Sequence, residues 1–320
     1  MDSMNKLQII FGESNLGVRG KKKDESVDYL FSYGLGGPVS IKKNEFEWLY
    51  RVPRPAFWRA TTDNDRGNGF SYRSAAWMGA DQFIGVKEVH VLVDDEEVDF
   101  RPPHNNCFTD NETAQKVTFV SVFETATTPS TMVKISYTVD ASCKMEVKVN
   151  YYGKEELPEL PALGLRFLMP TKASRFRYTG LSGETYPDRM AGGISGTYEI
   201  EGLPVTPYMA IQECGMHMNT EEVRIYRRTS LDNRKSQRDF TDEKELCFSL
   251  NGLAFTALPY TPMELESAGH MEELPPARRT VLTVYGAVRG VGGIDSWGAD
   301  VEEAYHISAA KDYEFSFCVS

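Results

Sequence analysis

Residues 131–151 read TMVKISYTVDASCKMEVKVNY. In the second half, Cys143, Met145, Val147, Val149 and Tyr151 alternate with Lys144, Glu146, Lys148 and Asn150. Successive side chains of a strand point to opposite faces, so the run predicts a half-buried strand with one apolar face. The first half repeats the pattern, with Val133, Ile135, Tyr137 and Val139 set against Lys134, Ser136 and Thr138. Asp140-Ala141-Ser142 separates the two runs, and the pair predicts an antiparallel hairpin.

Working outward, strand patterns recur at 115–123, 221–228, 245–250, 281–288 and 312–319. In the last, Tyr313, Phe315, Phe317 and Val319 alternate with Glu314, Ser316 and Cys318. Helix signals are scarce. Thr261-Pro262-Met263-Glu264 offers a cap, a proline suited to the first helical position and a capping-box glutamate, with Gly269 as the expected stop. Residues 71–78 predict another short helical turn. Many strands and few helices predict an all-β fold, a large antiparallel β-sandwich or a barrel. No fixed period is present, so a propeller or solenoid is not expected. The stretch 153–161 reads as a loop, but strand patterns continue beyond it, so residues 1–320 are taken as a single domain. Met4 offers a second start, and residues 1–6 are read as a leader or a disordered stretch.

The chain has 320 residues, 41% of them apolar and 25% charged, which is a globular composition. Its net charge is −11 and its one basic run, Lys21-Lys22-Lys23, is followed by two acids, so no nucleic-acid partner is expected. No apolar run approaches the roughly 20 residues needed to span a bilayer, and the Leu7–Phe11 stretch, broken by Gln8, is too short for a secretory signal. No membrane association is expected, and a cytoplasmic location is. The five cysteines are scattered without a CxxC pair, which predicts reduced cysteines packed as small apolar residues. Neither they nor the five histidines have metal-ligand spacing, so no metal is expected in this chain.

Several enzyme signatures are missing: a dinucleotide fingerprint, a Walker A loop, HExxH and G-x-S-x-G. What remains is four polar-aromatic segments between strands: FWRATTDNDRG at 57–67, ETYPDR at 184–189, QECGMH at 212–217 and GVGGIDSWG at 290–298. They supply forked donors, carboxylates and aromatic faces, the groups that hold loops rigid or bind sugars. Mutual pairing of Arg59, Asp63, Asp65, Arg66, Asp188 and Arg189 to brace loops is the favoured role for most of them.

These segments, in this order and together with PYTPMELESAGHMEEL at 259–274, resemble the C-terminal domain of single-chain β-galactosidases. They resemble still more closely the small subunit of the two-chain β-galactosidases of glycoside hydrolase family 2. The resemblance covers nearly the whole chain. It departs from the family pattern at Thr61, where proline is usual, at Cys214, where asparagine is usual, and at Ile294, where aspartate is usual.

The resemblance implies a galactose-mutarotase-like supersandwich, in agreement with the strand pattern. It also implies that the catalytic residues lie elsewhere. Retaining glycosidases need two carboxyl groups about 5–5.5 Å apart, and in this family both belong to a TIM-barrel large subunit. Such a barrel needs about 250 residues of alternating strands and helices, which this chain does not have. The implied partner is that large subunit, and the implied substrate a terminal β-D-galactoside such as lactose. Magnesium or sodium, if used, enters through the large subunit, and this chain itself needs no cofactor. Trp297 matches the tryptophan that stacks on substrate, with Asp295 and Ser296 beside it, while Glu184, Glu213 and His217 form a second tier of substrate-binding candidates. Trp58, Arg59, Asp63, Asn64, Asp65, Arg66, Tyr186, Asp188 and Arg189 are expected to act as loop braces or interface. Two other readings stay open: a mutarotase-like aldose epimerase using His217 with Glu184 or Glu213, and a stand-alone carbohydrate-binding module.

Overall fold

A computed structural model describes residues 6–22, 25–231, 237–294 and 298–320, with the side chains of 237 and 238 left aside. The chain begins with a meander of β1 (Leu7–Phe11), β2 (Asn15–Lys22), β3 (Glu25–Ser32), β4 (Gly37–Lys43) and β5 (Phe46–Glu47). β6 (Arg51–Ala56) leads into two short helices, α1 (Asp63–Asn68) and α2 (Phe70–Arg73). Next come β7 (Gly85–Val93), β8 (Glu96–Glu97), β9 (Thr113–Ala114), β10 (Lys116–Glu124), β11 (Met132–Asp140), β12 (Met145–Tyr151) and β13 (Ala162–Met169). β14 (Arg175–Leu181), β15 (Ser195–Glu201), β16 (Met216–Leu231) and β17 (Gln237–Leu258) precede α3 (Pro262–Glu266), β18 (Thr280–Val288) and β19 (Tyr313–Val319).

The expected hairpin is present: β11 and β12 pair antiparallel, with Val139 opposite Met145 and Ile135 opposite Val149. Their predicted apolar faces, Val133 to Val139 and Met145 to Tyr151 at alternate positions, are buried. All strand pairs among the described residues are antiparallel, and the strands form two sheets. One has six strands in the order β5-β4-β3-β2-β1-β9. The other has thirteen and runs β15-β14-β16-β17-β19-β12-β11-β10-β7-β8. It branches at β17, which pairs with β19 at Phe248–Ser249 and with β18 from Ala254 to Leu258. Asn251 and Gly252 lie between those stretches with φ of 52° and 90°, a left-handed kink that re-aims the strand toward its second partner. β18 then carries β13, and β13 carries β6.

The sheets meet face to face. Phe31 of β3 stacks on Phe119 of β10 at 5.1 Å and lies 5.9 Å from Tyr137 of β11. Trp48, Trp58 and Trp77 are fully buried, and a single large apolar cluster draws on both sheets. This is the antiparallel sandwich that the alternation predicts.

α3 has the predicted capping box: the Thr261 hydroxyl accepts from the Glu264 N–H, and the Glu264 carboxylate accepts from the Thr261 N–H at 2.7 Å. It ends at Glu266, short of Gly269. The Gly269 N–H goes to Glu273 and its carbonyl accepts from Ile211, which draws the chain off the helix axis. Residues 71–78 form α2 and a 3₁₀ turn at Ala75–Trp77. α1, which was not expected, has its own capping box made by Thr62 and Asp65. Cys143, Cys214 and Cys247 are buried and Cys318 is half-buried, but Cys107 is exposed, contrary to the packed-cysteine expectation. It lies outside the strands, in the polar, proline-containing loop before β9. Among the described residues no helix is long and apolar enough to cross a membrane.

Candidate functional site

The four polar-aromatic segments converge where β6 and β18 end and β13 begins. At the centre is a buried ionic knot. Arg59 sets both terminal guanidinium nitrogens on the Asp65 carboxylate, at 2.6 and 3.2 Å, and donates on to the carbonyls of Ala60 and Gly290. Asp65 also accepts from the Thr62 N–H at 2.8 Å and from Arg289 at 3.0 Å. Burial alone would raise the Asp65 pKa, but Arg59, the Thr62 N–H and Arg289 together outweigh it and hold it below the usual value. Arg289, itself fully buried, extends to Glu159 at 2.7 Å and to Asp300, and lies 3.9 Å over the Phe70 ring. Two guanidiniums thus share one carboxylate, and except for the unpartnered Nε of Arg59 their donors find further acceptors, which is how a buried charge cluster avoids an unpaired ion.

The knot supports the loop that starts at Gly290. Asp188 accepts the N–H groups of Val291 at 3.0 Å and Gly292 at 2.8 Å. Asn64 of α1 donates to the Val291 carbonyl at 3.1 Å and accepts from the Gly298 N–H at 3.3 Å, so it grips the loop from both sides. Arg189 donates to the Gly292 carbonyl. Gly293 has φ of 73°, and a Cβ there would stand 2.4 Å from the Asn64 amide nitrogen. Conformation and space therefore both require glycine at that position.

The other expected brace residues fall into place around this loop. Trp58 is buried and its Nε1 points at Glu266, 3.3 Å away. Asp63 pairs with Arg66 at 3.2 Å and donates its backbone N–H to the Gln212 side-chain oxygen at 3.0 Å. Arg66 also reaches the Ile211 carbonyl at 2.8 Å. Tyr186 is buried and forms a bridge with Arg189, and its hydroxyl has no partner. Trp297, Asp295 and Ser296 lie outside the described residues.

The second-tier candidates are dispersed. Glu184 is exposed and accepts from the Thr206 hydroxyl. Glu213 is buried; one oxygen accepts the Ala60 N–H at 3.1 Å and the other has no partner. Burial pushes its pKa up to about 8. His217 is packed among rings, 4.4 Å from Tyr178 and 4.8 Å from Phe255, and burial lowers its pKa to about 4. Its Nδ1 has no partner, and among the described residues neither Glu184 nor Glu213 bonds to the ring.

Sequence reasoning missed Arg289, Glu159, Glu266 and Asp300. Arg289 carried a local signal, a cation directly after the apolar run of β18, where burial demands a counter-ion. Glu159 bonds to it across 130 residues, and no local pattern announces that.

The chemistry available here is support. Asp65, Asp188 and Glu266 each spend their oxygens on guanidinium, indole, hydroxyl or backbone donors. Among the described residues no group of three or more histidine, cysteine, aspartate or glutamate side chains could hold a metal ion.

The family model for the β-galactosidase small chain matches residues 23–319. The chain belongs to that family. A β-galactosidase small subunit from Latilactobacillus sakei is 53% identical over the full length of both proteins. A β-galactosidase from Streptococcus thermophilus is 31% identical over 98% of this chain, which spans only 27% of that longer relative. A galactose mutarotase related enzyme from Lactobacillus acidophilus aligns over 95% of this chain and 96% of its own, with 9% identity and a TM-score of 0.39, too distant to carry fold or function across. Thr61, the first of the departures noted in the sequence, donates its N–H and hydroxyl to Glu266. Cys214 is buried with Ala60, Ile211, Leu258 and Leu265, and Ile294 is solvent-exposed.

Proposed function

We propose that this chain is the non-catalytic small subunit of a two-chain β-galactosidase. It binds a large subunit whose TIM barrel carries the catalytic carboxylate pair, and its loop from Gly290 to Gly298 completes the galactoside pocket. In that pocket Trp297 offers an aromatic face to the sugar, with Asp295 and Ser296 beside it. The assembled enzyme hydrolyses terminal β-D-galactosides such as lactose. The observation that carries this reading is the buried brace: two arginines, Asp65, Asp188 and Asn64 are committed to fixing one short glycine-rich loop. An investment of this kind suits a loop that must present a side chain in one position. Large apolar side chains left to solvent, Tyr72 at 86% and Phe83 at 77% exposure after α1 and Ile294 at 56% in the loop, suit a subunit contact. Any magnesium or sodium sits in the large subunit, and the five free cysteines fit a cytoplasmic location.

Co-expression with a candidate large subunit tests this. Hydrolysis of o-nitrophenyl galactoside is expected from the mixture and from neither chain alone. Turnover by this chain free of any large subunit would overturn the reading. The epimerase alternative needs His217 paired with Glu184 or Glu213, and the ring is instead packed against Tyr178 and Phe255 and bonds to neither. Polarimetry with α-galactose separates it.

A further inference from the structure

A cleft of about 980 Å³ opens between the β3–β4 hairpin, strands β6 and β13, and α3. None of its lining residues belongs to the brace around Gly290. Among the described residues β6 pairs only with β13, and in that register Arg54 stands directly opposite Arg166. Like charges facing each other across neighbouring strands repel. Arg166 is buried and donates to the equally buried Asp81 at 2.9 Å, but its Nε has no partner. Arg54 is half-buried, and no carboxylate among the described residues pairs with it; its guanidinium lies 6.0 Å from the Phe123 ring centroid.

The remaining charges of the cleft do not cancel this excess. Glu264 is taken by the cap of α3 and faces Arg279 at 3.7 Å, and Glu273 accepts the Gly269 N–H. Arg51 is exposed and turns to the Tyr50 ring at 5.4 Å, where Arg279 also lies at 5.9 Å. In a chain of net charge −11, the cleft thus keeps the Arg54 guanidinium without a paired carboxylate, beside an Arg166 whose one carboxylate, Asp81, leaves its Nε unsatisfied. A guanidinium fork matches the oxygens of a phosphate or carboxylate, and half-exposed Tyr50 offers a face for a ring. The volume lies at the upper end of the roughly 300–1,000 Å³ typical of small-molecule sites.

We infer that this cleft binds a small organic anion, a phosphate- or carboxylate-bearing ring of about monosaccharide size, with its charge between Arg54 and Arg166 and its body against Tyr50. This goes beyond the galactoside reading and does not rest on it. A calorimetric titration of the full chain with glucose 6-phosphate, galacturonate, inorganic phosphate and neutral galactose tests it. At least one charged sugar is expected to bind saturably, and galactose much more weakly. Comparing glucose 6-phosphate with galacturonate tells phosphate from carboxylate. Arg54→Gln should weaken anion binding by about tenfold or more. It removes one of two opposing charges and leaves the Arg166–Asp81 pair intact, so the melting temperature should stay level or rise. Tyr50→Ala should weaken sugar-anion binding and leave inorganic phosphate unchanged. The inference is overturned if no anion binds, if galactose binds equally well, or if Arg54→Gln binds anions as the parent does. It is also overturned if binding vanishes once the large subunit is added, since the cleft would then be a subunit contact.

Discussion

Thr61 donates twice to the Glu266 carboxylate, with its N–H to one oxygen at 2.6 Å and its hydroxyl to the other at 2.7 Å. Proline at 61 could make neither bond. Thr61 therefore fastens the segment after β6 to α3. Bonds to a charged acceptor contribute about 1.5–3 kcal/mol. Thr61→Val, which keeps the N–H, should cost about 1.5–3 kcal/mol in urea unfolding, and Thr61→Pro, which loses both bonds, about 3 kcal/mol or more. Unchanged stability in Thr61→Pro would show that the fastening contributes nothing.

Asp188 holds two backbone N–H groups of the loop. In Asp188→Asn one of those acceptors becomes a donor. Amide hydrogen exchange at Val291 and Gly292 should then accelerate by about tenfold or more, while exchange at Val147 in the core stays slow. Equal protection in parent and variant would mean that the loop is held by other contacts.

Glu213 gives a pH dependence. Burial raises its folded pKa to about 8 from 4.5, so between those values the folded state holds a proton that the unfolded state has lost. Stability from this group is complete below pH 4.5 and is lost as pH rises through 8. His217 runs the other way: its folded pKa is lowered to about 4 from 6.5, so its contribution is present above 6.5 and is lost as pH falls through 4. Above pH 6.5 the Glu213 slope stands alone of the two. Glu213→Gln, which mimics the protonated acid, should be more stable than the parent at pH 9 by on the order of a few kcal/mol, and the gap should close below about pH 5. Parallel stability curves for the two proteins would refute this.

Trp297→Ala tests the aromatic platform in the reconstituted enzyme. Losing one stacking face typically costs about 1–3 kcal/mol, by analogy with bases stacked on aromatic side chains. KM should rise about fivefold to a hundredfold, more than kcat falls, and the isolated chain should melt as before. Trp297→Phe should recover part of the loss. A large drop in melting temperature with unchanged KM would instead mark a packing residue.

The fold was legible because strand periodicity is local. The alternation from Val133 to Tyr151 named the buried face of each strand, and the same rule found β19. The branch at β17 was not legible, because exchanging β19 for β18 depends on a kink at Asn251–Gly252 and on partners distant in sequence. In the site, the pairing of Arg59 with Asp65 was open to inference because both lie in one motif. Their tie to Arg289, and through it to Glu159 and Asp300, was not, since it joins segments that only the folded sheet brings together. The α1 capping box was present in the letters of Thr62 and Asp65, hidden by an aspartate standing where a glutamate or glutamine is usual.

The position of β19 has a consequence for biosynthesis. Met145 to Tyr151 face Val319 to Tyr313 on one side of β19, and Phe248 faces Val319 on the other. On the ribosome, the β11–β12 hairpin must therefore wait with an open edge for a strand made some 160 residues later. At about 5–20 residues per second that interval is on the order of ten seconds or more, a window in which an apolar-faced edge is open to chaperones or to the same edge on a neighbouring nascent chain. Nascent chains arrested before residue 313 should be cut by protease within 132–151 far faster than the released chain, and equal resistance would mean that the hairpin closes without its partner.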